Sequence, residues 1–131
     1  MALQTEIYIY TSSKAPKPKE AKYYYKITCK DQFRQGVGRM PEGTTQNQLA
    51  LLTIIAAFQR LVRPAMVTVH TDCSYLATYH KYAKKWKQNG WKNSAGEPVK
   101  NEKLWAQLLE LETIHTVRYQ YHRAMPNEEE V

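Results

Sequence analysis

Cysteine is rare in this sequence, and long apolar runs are absent. The two cysteines, Cys29 and Cys73, have neither the C-x-x-C nor the Cys/His spacing of a metal site, so we expect both to be reduced and structural. No apolar run reaches the roughly 18 residues that a membrane-spanning helix needs. The N-terminus also lacks the basic, apolar and small-residue succession of a signal peptide. These absences favour a cytoplasmic protein with no membrane partner.

Acidic residues are outnumbered, with 12 Asp and Glu against 19 Lys and Arg, a formal net charge of +7 and a pI near 9.4. Residues 81–103 hold seven lysines against two glutamates, and Trp86 and Trp91 lie among them. Lysine neutralises phosphate and releases counterions, while tryptophan offers a flat stacking face. The same composition is also typical of two solvated, Lys-rich helices whose tryptophans pack into the core. The charge therefore favours a polyanionic partner without specifying which one.

The N-terminal part of the chain has the pattern of an antiparallel meander. With 131 residues and 43% apolar content, we expect one domain spanning residues 1–131. Residues 5–12, 21–30 and 33–40 are rich in alternating β-branched and aromatic types, which predicts three strands. The Lys/Pro-rich run at residues 14–20 is incompatible with a helix or a central strand, so it predicts a loop.

The rest of the chain alternates helix and strand patterns. A helix is predicted from a cap at Thr44-Thr45 to Arg63-Pro64, where proline would end it. The apolar run at residues 66–69 predicts a buried strand that ends at Asp72. Residues 101–113 then predict an amphipathic helix, and 116–121 a final strand.

The order of motifs in the second half closely resembles bacterial type 1 ribonuclease H, and the resemblance extends from Glu6 to Arg123. It implies a ribonuclease H-like α/β fold with a mixed five-stranded sheet flanked by helices, in which the C-terminal helix of the family is missing. It also implies that the basic protrusion, about residues 81–103, is a substrate-binding handle for RNA/DNA hybrids. The matching motifs are Thr71-Asp72, Ser74-Tyr75, W-K-x-x-G-W-K at Trp86 to Lys92, Pro98-Val99-Lys100-Asn101 and Leu104-Trp105.

The same resemblance predicts a degenerate active site. Family members cleave the RNA of a hybrid with two Mg²⁺ ions held by four carboxylates. Asp72 matches one of these, Ser12 and Ala50 stand where two others belong, and the last would fall beyond Val131. A single carboxylate cannot offset the repulsion between two close cations. We therefore expect no nuclease activity and no cofactor, with Asp72 mainly structural and only a weak metal candidate; any residual activity would need Mg²⁺ or Mn²⁺.

The resemblance also implies two sets of nucleic-acid-binding residues, with RNA/DNA hybrid or duplex RNA as the expected partner. One set lies in the basic protrusion and the other at the start of the first helix, where Thr, Gln and Asn are also common for capping alone. The protrusion set is Lys84, Lys85, Trp86, Lys87, Trp91 and Lys92, and the helix-start set is Thr45, Gln46 and Asn47.

Two other functions stay open from the sequence. A residual metal-dependent endoribonuclease acting on RNA/DNA hybrids would need Asp72 to be helped by Ser12, by the C-terminal glutamates or by a second subunit. A protein-interaction scaffold would use the fold to bind a protein partner or a second copy of itself.

His122 is interpreted as a strand residue and not as the mobile histidine of the family.

Overall fold

The computed structural model describes residues 3–11, 22–29, 32–39 and 46–123, which form one mixed five-stranded sheet and three helices. The strand order is β3-β2-β1-β4-β5, with β2 antiparallel to β1 and β3, and β4 parallel to β1 and β5. The predicted five-stranded α/β architecture is therefore confirmed. In chain order the elements are β1 (Leu3–Thr11), β2 (Lys22–Cys29), β3 (Gln32–Arg39), α1 (Gln46–Phe58), β4 (Ala65–Thr71), α2 (Ser74–Gln88), α3 (Glu102–Glu112) and β5 (Thr116–Tyr121).

Alternation along the central strands gives the sheet one apolar and one polar face. Ile7 and Ile9 of β1 and Val69 of β4 are at most 1% exposed and belong to one core cluster with residues of all three helices. Because side chains alternate along a strand, Tyr8 of β1 and its neighbour His70 of β4 lie on the opposite face. The helices thus bury the apolar face of the sheet.

Helix α1 ends at Phe58, six residues before Pro64, so the predicted helix boundary is wrong. From Arg60 onward the backbone hydrogen bonds are of the i−3 type, with Leu61 N–H donating to the Phe58 carbonyl at 3.0 Å, and this tight turn closes the helix. Leu61 packs against the core from the turn, while Val62 is 84% exposed. Proline therefore follows a helix that has already ended.

Two buried polar contacts join α2 to the elements beside it. Trp105 of α3 is fully buried, and its indole Nε1 donates to the Tyr75 hydroxyl at 2.9 Å. The buried Glu112 carboxylate lies 2.7 Å from His80 Nε2 and accepts a hydrogen bond from the Tyr119 hydroxyl at 2.8 Å. Burial, reinforced by that carboxylate, raises the pKa of Tyr119 well above its usual value of 10.0. These bonds fix α2 relative to both α3 and β5.

Several sequence predictions fall on residues outside the described part of the chain. They are the loop at 14–20, the helix cap at Thr44-Thr45 and everything after residue 123. The missing C-terminal helix therefore stays a prediction. Within the described residues, no helix is long and apolar enough to cross a membrane.

Candidate functional site

Asp72 lies in the short connection between β4 and α2. Strand β1 runs parallel beside β4 there, with Ile9 opposite Thr71, so the carboxyl ends of both strands meet at one edge of the sheet. The Thr71 hydroxyl accepts a hydrogen bond from the Cys73 backbone N–H at 3.0 Å, which fixes the turn around the aspartate. Asp72 is half-buried. Its position at the end of parallel strands is one where ligand sites commonly form.

The other two positions that the family resemblance implies, 12 and 50, carry no carboxylate. Ser12 follows β1 and lies outside the described residues, and its hydroxyl is a neutral, poor Mg²⁺ ligand. Ala50 of α1 is 0% exposed and packs within the core cluster. No group of three or more His, Cys, Asp or Glu side chains that could hold a metal ion exists among the residues the structure describes. The donor set at these three positions does not fit a pair of Mg²⁺ ions.

A histidine pair at the carboxyl ends of β4 and β5 was not predicted from the sequence. His122 lies one residue beyond β5, yet its backbone N–H still donates to the Thr71 carbonyl at 2.8 Å. Its Nε2 lies 2.8 Å from Nδ1 of His70, whose Nε2 lies 3.1 Å from a Glu6 carboxylate oxygen. Tyr8 stacks on the His70 ring at 4.4 Å. These contacts hold His122 against the sheet, but β5 ends at Tyr121, so its interpretation as a strand residue is wrong by one position.

From the pKa values of two histidines we predict that the protein loses stability in mild acid. His115 Nδ1 accepts a hydrogen bond from the Ala65 N–H at 3.0 Å, which requires that nitrogen to be unprotonated. Burial lowers the pKa of His115, against an opposing effect of Glu112, and burial together with His70 lowers the pKa of His122. At these two histidines the unfolded chain therefore binds more protons than the folded chain as the pH falls below about 6.5, so their contribution to the free energy of unfolding falls with the pH.

Urea unfolding at about pH 7.5 and pH 5.5 checks this expectation. The midpoint should be lower at the acidic pH, and His122→Gln should lessen the difference by removing one of the two titrating groups. A midpoint that is unchanged or higher at the acidic pH would show that these histidines do not favour their neutral forms in the folded state.

The basic protrusion begins on the last turns of α2. Lys84, Lys85 and Lys87 are exposed there, where positive charge also complements the carbonyl end of the helix dipole. Gly90 and Trp91 then both adopt a left-handed backbone conformation, with φ of 72° and 64°, and reverse the chain so that exposed Lys92 follows directly. The structure therefore brings the four predicted lysines together within one helix end and the turn that follows it.

The two tryptophans of the protrusion are anchors with one side in the core. Trp86 and Trp91 are half-buried and pack against the core cluster. The Trp86 ring meets Trp105 edge to face at 6.1 Å, and the Trp91 backbone N–H donates to the Trp86 carbonyl at 2.7 Å. The packing interpretation of these tryptophans is thus supported, and their exposed parts stay available to a ligand.

The helix-start residues are located only in part. Thr45 lies outside the described residues, and Gln46 opens α1 with a side chain that the structure does not describe. Asn47 follows in the first turn, and its side chain is exposed. Of this predicted set, only Asn47 is thus placed at the surface.

Comparisons with known proteins agree on one family. The family model for RNase H matches residues 4–129. A Ribonuclease H from Caldicellulosiruptor saccharolyticus is 33% identical over 117 residues, which cover 88% of this chain and 81% of that protein. For other curated relatives, also named Ribonuclease H, the match spans little more than half of their length, as in Oleidesulfovibrio alaskensis at 54%.

Solved structures show the same fold. LC9-RNase H1, a type 1 RNase H with the type 2 active-site motif, superposes with a TM-score of 0.76 at 20% identity, over 93% of this chain and 64% of that one. A foamy viral protease-reverse transcriptase in complex with an RNA/DNA hybrid gives a TM-score of 0.67 at 16% identity, over 91% of this chain and 17% of that one. From the match of nearly the whole chain to the family model, and from the shared fold, the chain belongs to the RNase H family.

Proposed function

We propose that this chain binds RNA/DNA hybrid or duplex RNA through its basic protrusion and does not cleave the RNA. The observation that carries the proposal is the cluster of exposed lysines at the end of α2, Lys84, Lys85, Lys87 and Lys92. None of these four forms an ion pair with a described residue, so their charge is available to phosphates. Family membership supports a hybrid as the ligand.

The tryptophans and Asn47 complete the proposed interface. Trp86 and Trp91 hold the lysine-bearing turn on the core, so the charges are presented by a fixed backbone. A fixed backbone lowers the entropy lost on binding. Asn47, with its neighbours Thr45 and Gln46, provides polar groups at a helix N-terminus, where backbone N–H groups favour anions.

The absence of cleavage rests on the metal ligands. Asp72 is the one carboxylate at the three family positions 12, 50 and 72. A second carboxylate at position 50 is replaced by a methyl group that is closed to solvent. Two Mg²⁺ ions need several negative ligands to lie close together, and this set does not provide them. Asp72 then has a structural role in the turn between β4 and α2.

A residual metal-dependent endoribonuclease is the second candidate. It is favoured by the relatives named Ribonuclease H and by the position of Asp72 at the carboxyl ends of two parallel strands. If this candidate were correct, cleavage would depend on a divalent cation and on the Asp72 carboxylate. The two functions therefore give opposite results in one assay.

Incubation with labelled hybrid decides between them. We expect the wild-type protein to bind RNA/DNA hybrid and duplex RNA in a salt-sensitive manner, and to leave both strands intact with Mg²⁺ or Mn²⁺ present. Asp72→Asn, which keeps the shape of the side chain and removes its charge, should bind equally well. RNA fragments that require the metal and disappear in Asp72→Asn would overturn the non-cleaving assignment. Absence of salt-dependent binding to any duplex would favour a protein-interaction scaffold.

A further inference from the structure

A stripe of aromatic side chains runs along α2 from the core to the solvent. Tyr75, Tyr79, Tyr82 and Trp86 are spaced by four, three and four residues, which places them on one face of the helix. Neighbouring rings are in contact, with centroids 5.2 Å apart for the first pair, 6.3 Å for the second and 6.4 Å for the third. From Tyr79 to Trp86 the stripe is about 11 Å long.

Burial changes along this stripe. The Tyr75 hydroxyl is held at the inner end by hydrogen bonds from Trp105 Nε1 and from Asn101 Nδ2 at 3.3 Å. Tyr79 and Tyr82, in contrast, are 41% and 48% exposed. Their hydroxyls have no hydrogen-bond partner among the described residues. Core packing therefore does not explain why positions 79 and 82 hold aromatic residues.

The turn that follows α2 forms the second wall of a groove over this stripe. Asn93 fixes the turn, because its side-chain oxygen accepts hydrogen bonds from the backbone N–H groups of Ala95 and Glu97 at 2.9 and 3.0 Å. The Val99 N–H donates to the Trp91 carbonyl at 3.0 Å and closes the wall. Both walls are thus held by hydrogen bonds before any ligand arrives.

The space between these walls, which we name the tyrosine groove, has a volume of about 620 Å³. Lys85, Lys92 and Lys100 line it, against one carboxylate, Glu97. Its lining therefore combines a positive charge excess with two exposed aromatic rings. Sites of this composition bind an anionic ligand that also has flat, apolar faces.

We propose that the tyrosine groove binds an unpaired strand of nucleic acid, with bases stacked on Tyr79 and Tyr82 and phosphates near Lys100. Lys85 and Lys92, which also line the groove, contact the duplex from which this strand extends. The internal bases of a duplex use both faces in its own stack, so away from the duplex ends only an unpaired base can stack on an exposed ring. At 3.4 Å per stacked nucleotide, the exposed stripe accommodates about three bases. This inference rests on the proposed function, because the single strand would extend from the duplex bound by the same protrusion.

Binding of blunt and tailed hybrids to the full chain tests the inference. A hybrid with a single-stranded tail of about four nucleotides should bind about tenfold more tightly than the blunt hybrid of the same duplex length. Tyr82→Leu should abolish that advantage and leave affinity for the blunt hybrid unchanged. Tyr82→Phe, which keeps the ring, should retain it. Because Tyr82 is an exposed residue on a helix, both variants are expected to fold.

The outcomes separate the two proposals. Equal affinity for tailed and blunt hybrids, or a tail effect that persists in Tyr82→Leu, would overturn the tyrosine groove as a single-strand site and leave duplex binding by the protrusion in place. Absence of binding to both hybrids would overturn the proposed function and the groove together. A tail effect lost in Tyr82→Leu and kept in Tyr82→Phe would establish base stacking in the groove.

Discussion

Replacing Lys85, Lys87 and Lys92 together with alanine is expected to lower the affinity for RNA/DNA hybrid about a hundredfold near 0.1 M salt. The three side chains are exposed, so their loss removes charge without removing core packing. Each phosphate contact contributes about 0.9 to the slope of log affinity against log salt. The slope should therefore become less steep by about 3 units in the triple variant. Fluorescence anisotropy across a series of salt concentrations measures both quantities.

A charge-matched control shows whether position matters. Arg63→Ala also removes one exposed positive charge, but from the connection between α1 and β4. It should change affinity and salt slope far less than Lys85→Ala does. If Arg63→Ala and Lys85→Ala weakened binding equally, net charge alone would attract the nucleic acid. If the triple variant bound like the wild-type protein, the basic protrusion would not be the interface.

The individual strands were predictable because their signal is local, whereas their assembly into a five-stranded sheet followed from the family resemblance. Ile7 and Ile9 alternate with Glu6 and Tyr8 where the first strand forms, and a strand of this period buries one face. The end of α1 was not predictable in the same way, because Leu61 continues the apolar spacing although it packs from a turn. An apolar pattern predicts which side chains are buried, but it does not predict whether a helix or a turn places them in the core.

The candidate site was predictable in composition and not in geometry. The lysines of the protrusion follow from sequence alone, but the turn that presents them depends on Trp91 in a left-handed conformation, which L-residues adopt at a cost of about 1–2 kcal/mol. Contacts between Glu6, His70 and His122 join residues 52 and 64 positions apart. Such pairs depend on strand order and register, which a single sequence does not specify.

The largest effect on stability is expected from restoring the glutamate that the family resemblance implies at position 50. Ala50 is 0% exposed within the core, so we expect the carboxylate of Ala50→Glu to be closed off from water. An unpaired buried charge costs about 3–5 kcal/mol of unfolding free energy. Ala50→Gln is the matched control, because it has nearly the same shape and no charge. We expect overpacking in Ala50→Gln to cost about 1–3 kcal/mol.

The pH dependence of the two variants separates charge from size. Burial raises the pKa of a carboxyl group above its unfolded value of about 4.3. Between those two pKa values the folded Ala50→Glu chain binds more protons than the unfolded chain, so its stability falls as the pH rises. The gap between the Glu and Gln variants in urea unfolding should therefore be widest near pH 8 and narrow towards pH 5.

Equal stability of the two variants near pH 8 would mean that a carboxylate at position 50 reaches water or a cation. A glutamate at position 50 could then act as a metal ligand together with Asp72. In that case side-chain substitution alone would restore metal binding. A wide gap would mean that the core has closed around the alanine methyl group, so that one substitution cannot restore the site. In that case position 50 serves only core packing, and Asp72 has no second carboxylate there to share the two metal ions that two-metal catalysis requires.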